Sequence, residues 1–185
     1  MFLKVSDHVM DFARSIKAPS FSLRSTDDTR LNLSDLAGKY GTVVVFICNH
    51  CPYVVRALED MKFEAQALQN EGIEVIAICS NDPIKYPDDS FNNMQKFAAQ
   101  NAFNFSYLHD EDQSVARAYD AQCTPDFFGF NSALELEYRG RLNNRRDGAT
   151  GLSRELYDAM TQIKETGKGP DQQFPSIGCS IKWAD

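Results

Sequence analysis

The sequence predicts an α/β fold, and three observations carry that prediction. Residues 42–47 and 73–78 are two nearly continuous apolar runs rich in β-branched residues, which is typical of strands buried on both faces of a parallel sheet. Between them, residues 53–70 carry apolar side chains at helical spacing along one stripe. Further along, residues 127–130 and 134–138 surround Asn131-Ser132 and predict an antiparallel pair that closes the sheet. Strand, helix and strand in succession predict parallel strands joined by a crossover helix.

The other elements follow from local signals. Residues 21–23 and 30–33 flank a polar turn and predict an N-terminal β-hairpin. The remaining predicted elements are a helical turn at 34–38, a helix at 92–101, a strand at 105–108, a short helix at 113–119 and a last helix at 153–164 capped by Ser153. The tail, 167–185, contains several glycine and proline residues, so we expect a single domain that ends in an irregular extension.

Composition and charge exclude several classes of function. The chain has 185 residues, of which 43% are hydrophobic and 24% charged, and this fits one globular domain. Its net charge is −7, whereas binding to nucleic acid or to an anionic membrane needs a basic face, so neither partner is expected. No window approaches the roughly 18 consecutive apolar residues of a membrane span. The first residues show no signal-peptide pattern, which predicts a cytoplasmic protein.

Five cysteines indicate core packing or redox chemistry. They are Cys48, Cys51, Cys79, Cys123 and Cys179. An odd number at irregular spacing is not the pattern of a secreted disulfide framework. Cys79 ends the buried run 73–78 and is predicted to be a core residue.

The most informative segment joins the first buried strand to the first long helix. Proline is favoured at the first helical position, so Pro52 predicts Cys51 as the residue that caps the helix. There, unpaired backbone N–H groups and the helix dipole favour a thiolate. Two alternatives remain: an inert cysteine at a helix start, and a metal site built on Cys48-x-x-Cys51, although no second pair of ligands follows.

A second motif precedes the predicted strand 127–130. Thr124-Pro125 opens that strand after a short helix and is a candidate for a cis peptide bond, although a trans bond in an ordinary turn is the commoner case. Elsewhere, Asp82, Asp88 and Asp89 are interpreted as solvated loop residues. The acidic stretch 109–112 is interpreted as the start of the short helix that follows it.

Taken together, these motifs resemble the thioredoxin superfamily. The segments that carry a closer resemblance, to the peroxiredoxin-like redoxins related to alkyl hydroperoxide reductase and thiol-specific antioxidant proteins, are 46–54, 124–128, 138–141 and 175–183. The resemblance covers nearly the whole chain, from Ala18 to Trp183. It implies a thioredoxin-like fold with a central mixed sheet, flanking helices and an N-terminal β-hairpin extension.

The resemblance also implies a thiol-dependent oxidoreductase with Cys51 as its nucleophile. In the thioredoxin pattern, Val54 stands where the second cysteine is usual. In the peroxiredoxin pattern, Cys48 stands where a hydroxyl residue precedes the reactive cysteine. Arg141 matches the arginine that holds peroxide and thiolate in peroxiredoxins. A cis Pro125 would bring Thr124 and Cys123 to the site, as in thioredoxins.

An oxidised Cys51 needs a resolving thiol, and the order of preference is Cys48, then Cys123, then Cys179. The expected substrate is a peroxide or a disulfide, reduced with electrons from a thioredoxin- or glutathione-type thiol and without a bound cofactor. The alternative is a redox-inactive thioredoxin-fold module that binds a protein partner or a metal. Nothing in the sequence indicates an oligomeric state.

Overall fold

The computed structural model describes residues 2–4, 16–147 and 150–185 and confirms the α/β class. The strands are β1 (Phe2–Lys4), β2 (Ser22–Ser25), β3 (Arg30–Asn32), β4 (Gly41–Phe46), β5 (Ile73–Cys79), β6 (Ser106–His109), β7 (Cys123–Thr124), β8 (Asp126–Phe130), β9 (Leu136–Gly140) and β10 (Ile177–Ser180). The helices are α1 (Leu33–Leu36), α2 (Pro52–Asn70), α3 (Phe91–Gln100), α4 (Ser114–Ala118) and α5 (Glu155–Thr166), with short 3₁₀ turns at Pro87–Asp89 and Arg145–Asp147. Within the described residues, no helix is long and apolar enough to cross a membrane.

The central sheet is mixed, as predicted. Its order is β3-β2-β6-β5-β4-β8-β9. The three middle strands β4, β5 and β6 are parallel, while β8, β9 and the β2–β3 hairpin pair antiparallel with their neighbours. This arrangement is the thioredoxin-like fold with its N-terminal hairpin, and it brings the C-terminal end of β4 beside the start of β8.

The sheet has a hydrophobic core on each face. Successive side chains of a strand point to opposite faces, so Val43 and Val45 of β4 pack with α2, α3 and α5. Val44 and Phe46 face the other way and pack with α4. Both faces of β4 are therefore covered, which explains its continuous apolar sequence.

Helix α2 begins where the sequence predicts. Pro52 occupies the first turn and Cys51 is the N-cap. The helix ends at Asn70, and Gly72 follows with a positive φ of 76°. A Cβ at Gly72 would lie 2.8 Å from the Tyr40 ring, so this turn requires glycine.

Two predictions about the C-terminal part were wrong. The tail is not irregular throughout, because Ile177–Ser180 forms β10 in a second sheet with the order β1-β10-β7. The last helix is capped by Arg154, not by Ser153, whose backbone N–H is instead bound by the Asn144 side chain. The other predicted elements are present, with ends that differ by one or two residues.

Candidate active site

The Cys51 side chain lies at the N-terminus of α2, enclosed by three other segments. The residue is 0% exposed. Its sulfur lies 3.2 Å from the Thr124 carbonyl oxygen, to which the thiol donates in its protonated form. Cys48 belongs to the same buried cluster as Cys51, and Cys179 packs against that cluster. The site is therefore built from the end of β4, the start of α2, β7 and β10.

These surroundings lower the pKa of Cys51 to about 4. The largest cause is the hydrogen bond from the Cys48 thiol. Smaller contributions come from the Thr124 side chain, the Cys179 thiol and the backbone N–H of Val54, while burial acts in the opposite direction. A sulfur with this pKa is a thiolate at neutral pH, and a thiolate is the nucleophilic form of cysteine.

Cys48 is the main donor to that thiolate. It is buried, and its sulfur lies 3.5 Å from Thr124 Oγ1. Its pKa is raised far above the usual range by the contact with Cys51, by burial and by the negative charge of Asp89. Cys48 therefore stays a protonated thiol that donates a hydrogen bond.

The other sequence-predicted residues of this region lie on β7 and at its end. The Thr124–Pro125 peptide bond is cis. Cys123 is buried, and its thiol is directed to the Pro125 carbonyl oxygen at 3.6 Å. Burial raises the pKa of Cys123 above its usual range. Cys79 is fully buried in the core, as predicted, with a pKa raised to about 12 by burial.

Cys179 lies on β10, directly across from Thr124 in the antiparallel register. It is partly exposed, unlike Cys48 and Cys51. Its pKa is raised to about 11 by burial and by its contact with Cys51. In the order of preference from the sequence, Cys179 is the last of the possible resolving cysteines. The tail that contains it gives no local signal for a strand, so its position beside Thr124 was not expected.

Arg141 follows directly after β9. Its guanidinium forms a two-pronged ion pair with Glu155, from Nε to Oε2 at 2.7 Å and from Nη2 to Oε1 at 2.9 Å. It also lies over the Phe174 ring at 4.9 Å. The next residue, Leu142, belongs to the same buried cluster as Cys48 and Cys51.

The interpretation of Asp82 and Asp89 as solvated residues was wrong, because both are buried. Asp89 is fully enclosed and accepts hydrogen bonds from the Asn49 backbone N–H and the Asn81 amide, both at 2.8 Å. His50 Nδ1 also lies 2.8 Å from Asp89 Oδ2. These donors come from separate loops, so no local sequence pattern predicts that Asp89 is buried. By contrast, Asp110 caps α4 through the backbone N–H groups of Val115 and Ala116, as expected for the acidic stretch 109–112.

Cys48, His50 and Asp89 offer ligand-type atoms within 4.8 Å of one another. This is the group of described residues that comes nearest to a metal site. The Asp89 carboxylate already receives three partners, and the Cys48 thiol is engaged by Cys51 and Thr124. We therefore interpret the group as a hydrogen-bonded network that shapes the loop before α2.

Comparison with known proteins identifies the family. Residues 15–142 match the model of the AhpC/TSA family. The chain belongs to the AhpC/TSA family. It is 38% identical to an uncharacterized conserved protein from Geobacillus kaustophilus, whose crystal structure superimposes with a TM-score of 0.89 over 100% of this chain and 97% of that one. A thioredoxin family protein from Chlorobium tepidum, named a thiol:disulfide interchange protein, has a TM-score of 0.62 at 17% identity over 82% of this chain and 97% of that one, which shows the shared fold.

Two curated proteins are similar to part of the chain. Peroxiredoxin Bcp of Escherichia coli is 26% identical over 112 residues, which are 60% of this chain and 67% of that protein. Thiol-disulfide oxidoreductase ResA of Bacillus subtilis is 28% identical over 114 residues, which are 62% of this chain and 59% of that protein. This AhpC/TSA chain is thus a thioredoxin-like redoxin, and its two relatives are named a peroxiredoxin and a thiol-disulfide oxidoreductase.

Proposed function

We propose that this AhpC/TSA protein is a thiol peroxidase, in which Cys51 reduces a hydroperoxide and a thioredoxin- or glutathione-type thiol restores the reduced enzyme. The observation that carries the proposal is the state of the Cys51 sulfur. It lies at the N-terminus of the 19-residue helix α2 and has a pKa lowered to about 4. A cysteine that is ionised at neutral pH is equipped for nucleophilic attack.

The chemistry follows from that charge. The thiolate attacks one peroxide oxygen, the O–O bond breaks, and the sulfur becomes a sulfenic acid. The departing alkoxide or hydroxide takes a proton from solvent and leaves as alcohol or water. The Cys48 thiol supplies a hydrogen-bond donor at the position where the peroxiredoxin pattern has a hydroxyl group, so the replacement of that hydroxyl keeps a donor beside the reactive sulfur.

Burial of Cys51 favours a small substrate over a protein disulfide. The residue has no exposed surface, and the Thr124 carbonyl oxygen lies 3.2 Å from its sulfur. A hydroperoxide needs much less space beside the sulfur than a folded protein does. Disulfide exchange is the second candidate function, since ResA is named a thiol-disulfide oxidoreductase and two further cysteines, Cys48 and Cys179, pack in or against the cluster that contains Cys51.

We assign Arg141 the role of holding the peroxide next to the thiolate. Glu155 fixes the direction of its guanidinium through two hydrogen bonds. The adjacent Leu142 anchors the segment in the core that contains Cys51. Thr124, which precedes Pro125, contacts the sulfurs of both Cys51 and Cys48.

The test is consumption of hydrogen peroxide in the presence of a thiol donor. Wild-type protein is expected to turn over repeatedly, and Cys51→Ser is expected to lose the activity because serine is not ionised at neutral pH. In a parallel arm, a mixed disulfide of a small thiol replaces the peroxide.

The possible results separate the candidate functions. Reaction with the mixed disulfide but not with peroxide would replace the peroxidase proposal with disulfide exchange. A Cys51 that reacts with neither would support a redox-inactive module that binds a protein or a metal. Measurement of the metal content of the purified protein would then distinguish those two cases.

A further inference from the structure

The C-terminal strand β10 is attached to the same strand that contacts the reactive sulfur. β10 pairs antiparallel with β7, so that Cys179 lies across from Thr124 and Ser180 across from Cys123. The Thr124 carbonyl oxygen in turn accepts from Cys51. The backbone register therefore brings Cys179 to the site, and its position does not depend on the conformation of one flexible side chain.

The position of Cys179 is fixed on both sides along the chain. A Cβ at Gly178 would lie 2.0 Å from the Thr124 carbonyl oxygen, so only glycine allows this close approach. After the strand, Ile181 is buried in the core, and the Lys182 backbone N–H donates to the Asn81 side chain at 2.9 Å. The Asp82 backbone N–H donates to the Lys182 carbonyl oxygen at 2.8 Å.

We propose that Cys179 is the cysteine that resolves oxidised Cys51, in preference to Cys48. The inference rests on the proposed peroxide reduction and adds to it the second half of the catalytic cycle. Its basis is the register that places Cys179 across from Thr124, the packing of Cys179 against the buried cluster that contains Cys51, and the partial exposure of Cys179. The exposed side of Cys179 gives its proton a route to solvent and gives a reducing thiol a route to the resulting disulfide.

The resolving step balances without a further oxidant. The Cys179 thiol releases its proton, and the thiolate attacks the Cys51 sulfur of the sulfenic acid. The S–S bond forms as the S–O bond breaks, and the departing hydroxide takes up a proton and becomes water. The two thiols have then lost two electrons, which the peroxide has gained, and the external thiol of the proposed function reduces the disulfide by exchange.

Charge explains why Cys179 is preferred although Cys48 is closer in sequence. Part of the barrier to ionising Cys179 is the negative charge of Cys51 itself, and that charge disappears when Cys51 is oxidised. The nearby Lys182 favours the Cys179 thiolate. Oxidation of Cys51 removes the same negative charge from beside Cys48. Cys48 nevertheless remains fully buried and close to the negative charge of Asp89, and both keep its pKa raised. Cys179 therefore ionises more readily in the oxidised enzyme.

Tryptic mapping after one equivalent of hydrogen peroxide tests the proposal. Cys48 and Cys51 fall in one tryptic peptide, 40–56, whereas Cys179 falls in another, 169–182. A Cys51–Cys179 disulfide thus cross-links two peptides, and a Cys48–Cys51 disulfide lowers the mass of one peptide by two hydrogens. The expected product is the cross-link, and it is expected to persist in Cys48→Ser.

Variants of β10 sharpen the result. Cys179→Ser is expected to stop at a sulfenic acid on Cys51, which a dimedone-type reagent captures. Ser180→Ala changes the same strand without removing a thiol and is expected to give the wild-type cross-link. A Cys48–Cys51 disulfide as the main product in the wild type would overturn the assignment. If Cys51 stays reduced under peroxide, the proposed peroxidase function itself is contradicted. The same mass spectrum distinguishes this outcome from a Cys48–Cys51 disulfide, which contradicts only the assignment of Cys179.

Discussion

At the scale of single residues, the site stabilises a buried negative charge on Cys51 with neutral donors. A buried anion is costly unless hydrogen bonds compensate for the lost water. Here the compensation comes from Cys48, Thr124 and Cys179 together with the backbone N–H of Val54. The negative charge on Cys51 also disfavours ionisation of Cys48 and Cys179, so the pKa of each of these two thiols is raised by its interaction with Cys51.

Removing the main donor is expected to raise the pKa of Cys51. A hydrogen bond to a charged group contributes about 1.5–3 kcal/mol, which corresponds to about one to two pKa units. We expect Cys48→Ala to raise the pKa of Cys51 by that amount and Cys48→Ser, which retains a donor, to raise it less. The ultraviolet absorbance of the thiolate, followed against pH, measures both values. Equal pKa values in Cys48→Ala and the wild type would show that Cys48 does not support the charge.

At the scale of elements, β10 fits closely against β7, and we expect this fit to control access to Cys51. We expect Gly178→Ala to push β10 away from β7, because the added Cβ would meet the Thr124 carbonyl oxygen at 2.0 Å. A bulky maleimide should then modify Cys51 faster than in the wild type. Gly151→Ala is the matched control, since a Cβ there meets nothing within 4 Å. Similar rates in both variants would mean that β10 does not cover the sulfur.

A buried ion pair joins the two helices on the face of the sheet that carries the site. Glu64 of α2 is 3% exposed, and the Arg154 guanidinium at the start of α5 binds both of its carboxylate oxygens, at 2.6 and 2.9 Å. Removing one partner of a fully buried pair costs about 3–5 kcal/mol. The partial exposure of Arg154 reduces this, so we expect Arg154→Met to lower the free energy of unfolding by about 2 kcal/mol.

Urea unfolding measures that change, and a surface pair supplies the control. Lys17 and Glu135 form an ion pair in which Lys17 is 58% exposed. Such pairs contribute about 0–1 kcal/mol, so Lys17→Met should have a much smaller effect. Equal losses in the two variants would contradict the structural role assigned to the Glu64–Arg154 pair.

At the scale of the whole molecule, the parts that the sequence predicts well are those specified by neighbouring residues. Strands β4 and β5 are continuous apolar runs, and Pro52 marks the start of α2. Because these signals meet at Cys51, both the fold and the position of Cys51 at the start of α2 were predictable. The resemblance to the redoxins depends in part on the same region, residues 46–54.

The parts that escaped prediction depend on contacts between distant segments. β10 is a four-residue strand that contains Gly178 and forms because β1 and β7 offer it partners on both sides. Asp89 is buried by donors from residues 49, 50 and 81. The Thr124–Pro125 bond is cis, although the trans form is the commoner one for such a pair.

The measurement that tests the central claim most directly is a thiolate titration of the reduced protein against Cys51→Ser. The account predicts that the difference in ultraviolet absorbance between the two proteins disappears as the pH falls through about 4. From about pH 5 to 8 the wild type should hold one more thiolate than the variant. A difference that appears only near pH 8.5, where a free cysteine ionises, would contradict the claim that this fold makes Cys51 a thiolate at neutral pH.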